Sequence, residues 1–419
     1  MSRPAPARPP LFFGWVVLAA SVAVIAVAMG VTFSLAVFLR PLEEQFGWSR
    51  GLISGVALVN WIVLGIGSLV WGALSDRVGA RRVVALGAAL LGGAMLLSSQ
   101  VRTAGQLYAA FGILGAAGAS ACYVPLSATA TRWFVARRGL AMGIISAGMG
   151  LGILAVPPAA RALISLLGWR GAFATFGALT WVVAAVAVRF IVNRPEDRGL
   201  APYAAAGGGR APAAPGVGGL EMTPAEAFRH PAFWGVALAH FACCAAHSGP
   251  IFHMVAHAMD LGVPKMAAAA MLGISGGTSI AGRLGSGVLA DRLGPRPALV
   301  LLLTVQAATL STYLAAGGAG SLFLVALAFG VAYGGAMPLY ALLAREFFGA
   351  RVVGTAFGGI FLVSTIGMGL GAYAGGIVFD RLGSYWMLHL GSTIVGAAAV
   401  VVALGLRPPR PAPSPAPAR

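Results

Sequence analysis

Twelve apolar segments, each long enough to cross the hydrocarbon layer of a bilayer, constrain this chain more than any other feature. They cover residues 11–39, 52–74, 83–101, 105–131, 139–167, 171–192, 232–258, 266–290, 298–316, 320–344, 353–379 and 385–406. A spanning helix needs about 17–20 such residues. In lipid, every backbone N–H and C=O must be satisfied within the segment, so runs of this length fold as helices. The predicted fold class is an all-α membrane protein of twelve transmembrane helices. Charged residues make up 9% of the chain and hydrophobic ones 59%, whereas soluble domains hold about 25% charged. The lipid bilayer is therefore the first partner. The run that begins at Leu11 is too long for a signal-peptide core and reads as an uncleaved first helix.

A net charge of +17 could suggest nucleic acid, but the cations lie in short loops between apolar runs, which is the pattern of membrane topology. Loops after even-numbered segments hold most of the arginines, among them Arg77, Arg81, Arg82, Arg132, Arg137, Arg138, Arg292 and Arg296. Loops after odd-numbered segments hold fewer, and Arg40, Arg50 and Arg381 sit near Glu43, Glu44, Asp260 or Asp380. The positive-inside rule then puts both termini in the cytoplasm of a multi-pass protein of the plasma (inner) membrane. Cys122, Cys243 and Cys244 all fall in apolar segments and offer neither a disulfide framework nor metal spacing.

The chain repeats itself. GALSDRVGARR (72–82) matches GVLADRLGPRP (287–297), Pro125 in the fourth segment answers Pro338 in the tenth, and the fifth and eleventh segments are both rich in glycine. Parallel repeats of this kind are known in transporters, with the binding site at the midplane between the halves. The domains expected are a six-helix bundle over 1–193, a cytoplasmic linker with a short amphipathic helix over 194–231, a second bundle over 232–406, and a disordered tail over 407–419. The linker's centre is rich in Ala, Gly and Pro. It closes with Thr223-Pro224-Ala225-Glu226, a capped helix start.

One cation breaks the apolar pattern. Arg283 lies eight residues before Asp291, roughly 12 Å from the polar end of its helix at about 1.5 Å per residue. A cation at such depth costs at least about 2.5–3.5 kcal/mol and is retained to face a cavity or an anion. The alternatives are a guanidinium tied to neighbouring helix carbonyls, or one reaching partly to the interface. The acidic residues lie near helix ends or in loops. The seventh segment carries His240, His247, His253 and His257, and histidine titrates near physiological pH. His253 and His257 stand at i, i+4 but lack a third ligand of the right spacing, so no metal is expected. Tyr123 beside Pro125, and Tyr333 and Tyr340 around Pro338, are either cavity phenols or packing residues.

The two G-x-x-x-D-R-x-G loops, Gly72–Gly79 and Gly287–Gly294, resemble the cytoplasmic signature of the major facilitator superfamily. YVPLSATATRWFVARRGLAMGIISAGMGLG (123–152), FFGWVVLAAS (12–21), TPAEAFRHPAFW (223–234), PIFHMVAHAMDLG (250–262) and GRLGSGVLADR (282–292) are similar to the monocarboxylate transporters and oxalate–formate antiporters within it. The resemblance covers nearly the whole chain. It implies two pseudo-symmetric six-helix bundles and a carboxylate carrier, often proton-coupled, whose eighth-helix arginine pairs with the substrate; Arg283 holds that place. It also implies a gating latch at Asp76 and Asp291, which can accept from arginines on a neighbouring helix, and a cavity-facing position at His253.

This chain departs from the pattern at Ser279, where animal lactate carriers place an aspartate, and at Phe33, where they place a lysine. Residues 353–379 lack the second cation of the oxalate exchangers. One buried cation suits one carboxylate. The expectation is a secondary active transporter, not an enzyme, moving a small lactate- or pyruvate-like monocarboxylate with a proton by alternating access. It would act as a monomer, without cofactor or nucleic acid. Substrate would be bound by Arg283, Tyr123, His253 and Tyr333, and the proton by His253 or His247. The alternatives are an exchanger of the oxalate–formate type or efflux of a larger organic anion.

Overall fold

The computed structural model describes residues 12–135, 138–203, 222–349 and 352–409. The apolar segments form twelve helices there. α1 spans Gly14–Phe46, α2 Arg50–Val78 and α3 Ala80–Ser98. α4 covers Ala104–Trp133 and passes through π-type turns from Tyr108 to Gly115. The run Arg138–Phe190 is two spans, broken where Gly168 takes φ 69° and ψ 170°; residues 138–167 are α5 and 169–190 are α6. The second half repeats the first, with α7 Pro231–Asp260, α8 Lys265–Leu293, α9 Pro295–Thr312, α10 Ala319–Phe348, α11 Val353–Leu382 and α12 Trp386–Gly405. Nine of the described helices, with Leu140–Phe190 taken as one, are long and apolar enough to cross a membrane; α8 and α9 fall outside that set.

The helices form two bundles. In the first, α1 packs along the α5–α6 run and α3 packs on α4 and that run; in the second, α7 packs on α11 and α12, α8 on α10, and α9 on α10 and α12. The bundles meet where α2 lies on α11, α5 on α8 and α1 on α7. Helices in lipid associate by close packing rather than by escape from water, so small residues mark the tightest seams. A Cβ added at Gly334 would sit 2.5 Å from the Ser279 carbonyl oxygen, and one at Gly150 would sit 2.6 Å from the Ile280 side chain. The first seam holds α10 on α8, and the second holds α5 on α8 across the two bundles.

The last glycine of each G-x-x-x-D-R-x-G loop is a turn that no other residue adopts comfortably. Gly79 has φ 89° and ψ 146°, and Gly294 has φ 88° and ψ 156°, so the repeat seen in sequence is also a repeat of backbone conformation. In the interval 194–231, residues 204–221 lie outside the described residues, as do 1–11, 410–419, Arg137 and Arg351. The capped start is formed as expected: helix Pro224–Arg229 opens with the Glu226 N–H donating to Thr223 Oγ1 (3.3 Å) and the Thr223 N–H donating to Glu226 Oε2 (2.7 Å). Those bonds hold the Glu226 carboxyl below the usual carboxylate range.

Candidate functional site

The local backbone that positions Arg283 is a stretch of α8, residues 273–287, in which Gly, Ser and Ala predominate. Its small side chains let α10 approach closely, and Arg283 is 5% exposed. Among the described residues its guanidinium makes no hydrogen bond or ion pair, and Nε is a buried donor without a partner. It is therefore not tied to helix carbonyls. Two side chains stand close enough to interact with it electrostatically, His247 of α7 and Tyr333 of α10. The two rings stack with centroids 5.3 Å apart. His247 Nδ1 lies 2.7 Å from the Cys243 carbonyl, which can only accept, so the proton sits on Nδ1 and a neutral ring keeps Nε2 as an acceptor. The Tyr333 hydroxyl and Ser275 Oγ are also buried; they lie near each other and near Ser279 without forming a hydrogen bond of good geometry. A buried cation flanked by unused hydroxyls is equipped to bind a small anion.

Toward the Arg50 end, next to Ser248, a cavity of about 20 Å³ opens between the bundles, lined by Phe33, Asn60, Trp61, Phe111 and Phe252 among others. Asn60 Nδ2 donates to the Phe111 carbonyl (3.0 Å) within the π-type turns of α4. The walls are mostly aromatic and aliphatic, with Ser248 Oγ unpartnered.

The bundles are latched at one end and parted at the other. At the Arg50 end, the Arg50 guanidinium is buried and pairs with Asp260 at 2.6 and 3.0 Å and with Glu43 at 3.3 Å. It also donates to the Tyr385 hydroxyl at 2.7 Å and lies 3.6 Å from the Phe379 ring centre. Asp380 accepts from the backbone N–H groups of Arg50 (2.9 Å) and Gly51 (2.7 Å). A carboxylate of the second bundle thus caps the N-terminus of α2 in the first, where orphan N–H groups and the helix dipole favour an anion. Arg40 adds a bond to Asp260 at 3.1 Å. At the Asp76 end, a cleft of about 780 Å³ separates Arg132, Arg194 and Glu196 from Arg345 and Val353.

The structure brings together three of the residues expected from sequence, Arg283, His247 and Tyr333. His253 lies elsewhere, in the Arg50 latch. Its Nδ1 is 3.0 Å from the Tyr385 hydroxyl and its Nε2 3.0 Å from the Ala372 carbonyl. Tyr123 exchanges a hydrogen bond with Ser146 Oγ (3.1 Å) inside the first bundle. Asp76 accepts from Arg132 of α4 (2.7 Å), the neighbouring-helix arginine anticipated for it. Asp291 is exposed and makes no hydrogen bond or ion pair among the described residues. Tyr340 donates to the Ala239 carbonyl and stacks on His240. No group of three or more His, Cys, Asp or Glu among the described residues is placed to hold a metal. Sequence reasoning missed the latch residues Arg50, Asp260, Asp380 and Tyr385. The available signal was that cations and acids of both halves fall at the same face of the membrane.

Comparison with known proteins gives consistent results. The family model described as Major Facilitator Superfamily matches residues 18–372. The chain is 29% identical to monocarboxylate transporter 13 of Bos taurus, covering 94% of this chain and 89% of that one. It is 31% identical to monocarboxylate transporter 11 of Mus musculus, covering 91% and 85%. Among solved structures it resembles a bacterial homologue of the human lysosomal transporter Spinster. The inward-facing, occupied form superposes with a TM-score of 0.74 at 15% identity, covering 96% of this chain and 97% of that one. The unoccupied form gives 0.67 at 16% identity, covering 96% and 95%.

Proposed function

Since this chain belongs to the Major Facilitator Superfamily, in the branch of the monocarboxylate transporters, we propose that it moves a small monocarboxylate together with a proton by alternating access. Members of this family are transporters and not enzymes. The observation that supports the reading is Arg283, a buried guanidinium with no anion of its own among the described residues. In this proposal the substrate carboxylate takes one edge of the guanidinium through two parallel N–H···O bonds, and His247 and Tyr333 complete its hydrogen bonds. The apolar body of the substrate would point toward Phe33, Trp61 and Phe252, where the cavity of about 20 Å³ has to widen to admit it, and Tyr123 is the fourth binding residue of the proposal. One unpaired buried cation fits one carboxylate, which favours a monoanion over a dicarboxylate.

The moving bodies are the two bundles, 1–193 and 232–406, and the protein works as a monomer in the plasma membrane. With most loop arginines at the Asp76 end, that end is cytoplasmic and the Arg50 end external. A latched external end and a parted cytoplasmic end make this an inward-facing arrangement. Asp76 and Asp291 hold the cytoplasmic end shut in the opposite state. Protons are carried by buried histidines, His247 beside Arg283 and His253 at the external latch. The test is uptake of a panel of radiolabelled carboxylic acids into proteoliposomes, with and without an inward proton gradient. Lactate- or pyruvate-like acids should accumulate only with the gradient, and Arg283→Ala should abolish both uptake and counterflow. Near-normal uptake by a well-folded Arg283→Ala protein would refute the reading.

A further inference from the structure

Five side chains form a continuous path at the external end: Asp260, Arg50, Tyr385 and His253 in hydrogen-bonded sequence, with Asp380 capping the helix that begins at Arg50. We propose that His253 is the proton-operated switch of the external gate, acting on Arg50 through the Tyr385 hydroxyl. This deepens the proton-coupled reading above and rests on it.

The argument is one of donors and acceptors. The Ala372 carbonyl can only accept, so His253 Nε2 carries a hydrogen (3.0 Å). In a neutral imidazole Nδ1 is then an acceptor, and it takes the Tyr385 O–H (3.0 Å). The tyrosine oxygen is left free to accept from Arg50 Nη1 (2.7 Å). Every polar atom on the path is satisfied once, with the inter-bundle pair Arg50–Asp260 at its end. A proton arriving from outside at Nδ1 reverses that order. Nδ1–H becomes a donor, the tyrosine oxygen faces two cationic donors, and its own hydrogen loses its acceptor. The new imidazolium also competes with Arg50 for Asp260 and Asp380, the carboxylates that hold the bundles together. No bond other than the N–H is made, and the proton leaves by the same nitrogen when the path closes again.

The groups facing His253 are Arg50 from α2 with its partner Asp260, His257 from its own helix, Asp380 from α11, Tyr385 at the start of α12 and His389 within it. His257 Nε2, both His389 nitrogens and the Tyr313 hydroxyl are buried without partners. The His257 and His389 rings lie 5.0 Å apart, and Tyr313 stacks on His389 at 4.6 Å. They offer stations for a proton near the switch; His257 packs edge-on against the Tyr385 ring at 5.4 Å and lies within electrostatic reach of Arg50 and Asp260, but it is His253 that bonds the Tyr385 hydroxyl.

The experiment measures gate opening without substrate. Spin labels on Gln45→Cys and Leu261→Cys report the distance across the external end of the full-length protein, with Cys122, Cys243 and Cys244 replaced by alanine. On lowering the pH stepwise from about 8 to about 4, a span that covers both a free and a buried histidine, the long-distance population should rise. The expected rise is about fivefold, the lower end of typical coupling between linked sites. His253→Gln and Tyr385→Phe should each remove the pH response; the phenylalanine keeps the ring packing on Phe379, which guards against simple misfolding. Arg283→Ala should keep it. Loss of counterflow in Arg283→Ala with an intact pH response therefore separates failure of the gate from failure of the carboxylate site. An unchanged pH response in both His253→Gln and Tyr385→Phe, or no response in the parent protein, overturns the proposal.

Discussion

At the scale of single residues, two arginines define this molecule, and they were unequally visible in the sequence. Arg283 stands out because it interrupts an apolar run far from either polar end, where a cation costs at least about 2.5–3.5 kcal/mol. Arg50 lies at the polar start of its span, where an arginine is ordinary. Its weight comes from partners 210 and 330 residues away, and no local pattern records such distances. The two should respond differently to substitution. Arg283→Lys keeps the charge and loses the planar fork, so uptake should fall steeply while the protein stays folded. Removing the side chain altogether strands the carboxylate, a loss of about 2–5 kcal/mol in apparent affinity, measurable by counterflow. Asp260→Asn instead leaves the buried Arg50 without its closest anion. Breaking such a pair costs about 3–5 kcal/mol, and here the cost is avoided by opening the external end. Thiol labelling of Ser248→Cys from outside should accelerate in Asp260→Asn; unchanged labelling would mean that the latch is held by Asp380 and Glu43 alone.

At the scale of elements, the apolar segments located the twelve helices but not where they stop. α1 runs on to Phe46 past the expected end at residue 39, because Arg40 and Glu43 pair along the last turns at 3.1 Å. The side chains cease to be apolar there while the backbone goes on bonding. The π-type turns of α4 were invisible for a related reason, since a shift from i−4 to i−5 bonding leaves composition untouched. The repeated D-R-x-G loops were legible, whereas the positive φ of both final glycines is seen only in the structure. The glycine-rich seams were legible too, although only the structure shows which helices they join. Gly334 faces the backbone of Ser279 on α8, one turn from Arg283. A leucine at this position cannot fit without parting α8 from α10, a strain of about 1–3 kcal/mol or more. Gly334→Leu should lower the thermal unfolding midpoint in detergent and weaken substrate binding together. Gly285→Ala, at a position where a Cβ meets open space, should change neither.

At the scale of the whole molecule, the alternating access proposed here links the two ends, because bundles that move as bodies would not be parted at both. The external end holds charge pairs between bundles, buried around Arg50, while the Asp76–Arg132 pair at the cytoplasmic end lies within one bundle beside an open cleft, with Asp76 67% exposed. An exposed pair of this kind contributes about 0–1 kcal/mol. Losing it should cost the inward-facing state little. In the outward-facing state of the proposed cycle the bundles would close over the Asp76 end, enclosing this carboxylate and its repeat Asp291, and bonds from them to arginine would count for more. Neutralising both therefore penalises one state and spares the other, and a ligand-free protein responds by shifting its population. Asp76→Asn with Asp291→Asn should label faster at a cysteine placed at Val353, in the cytoplasmic cleft, and slower at Ser248→Cys from outside. Equal rates in the parent and the double variant would show that the two aspartates serve only to shape their turns. The opposite shift would mean that they brace the open cleft instead of closing it.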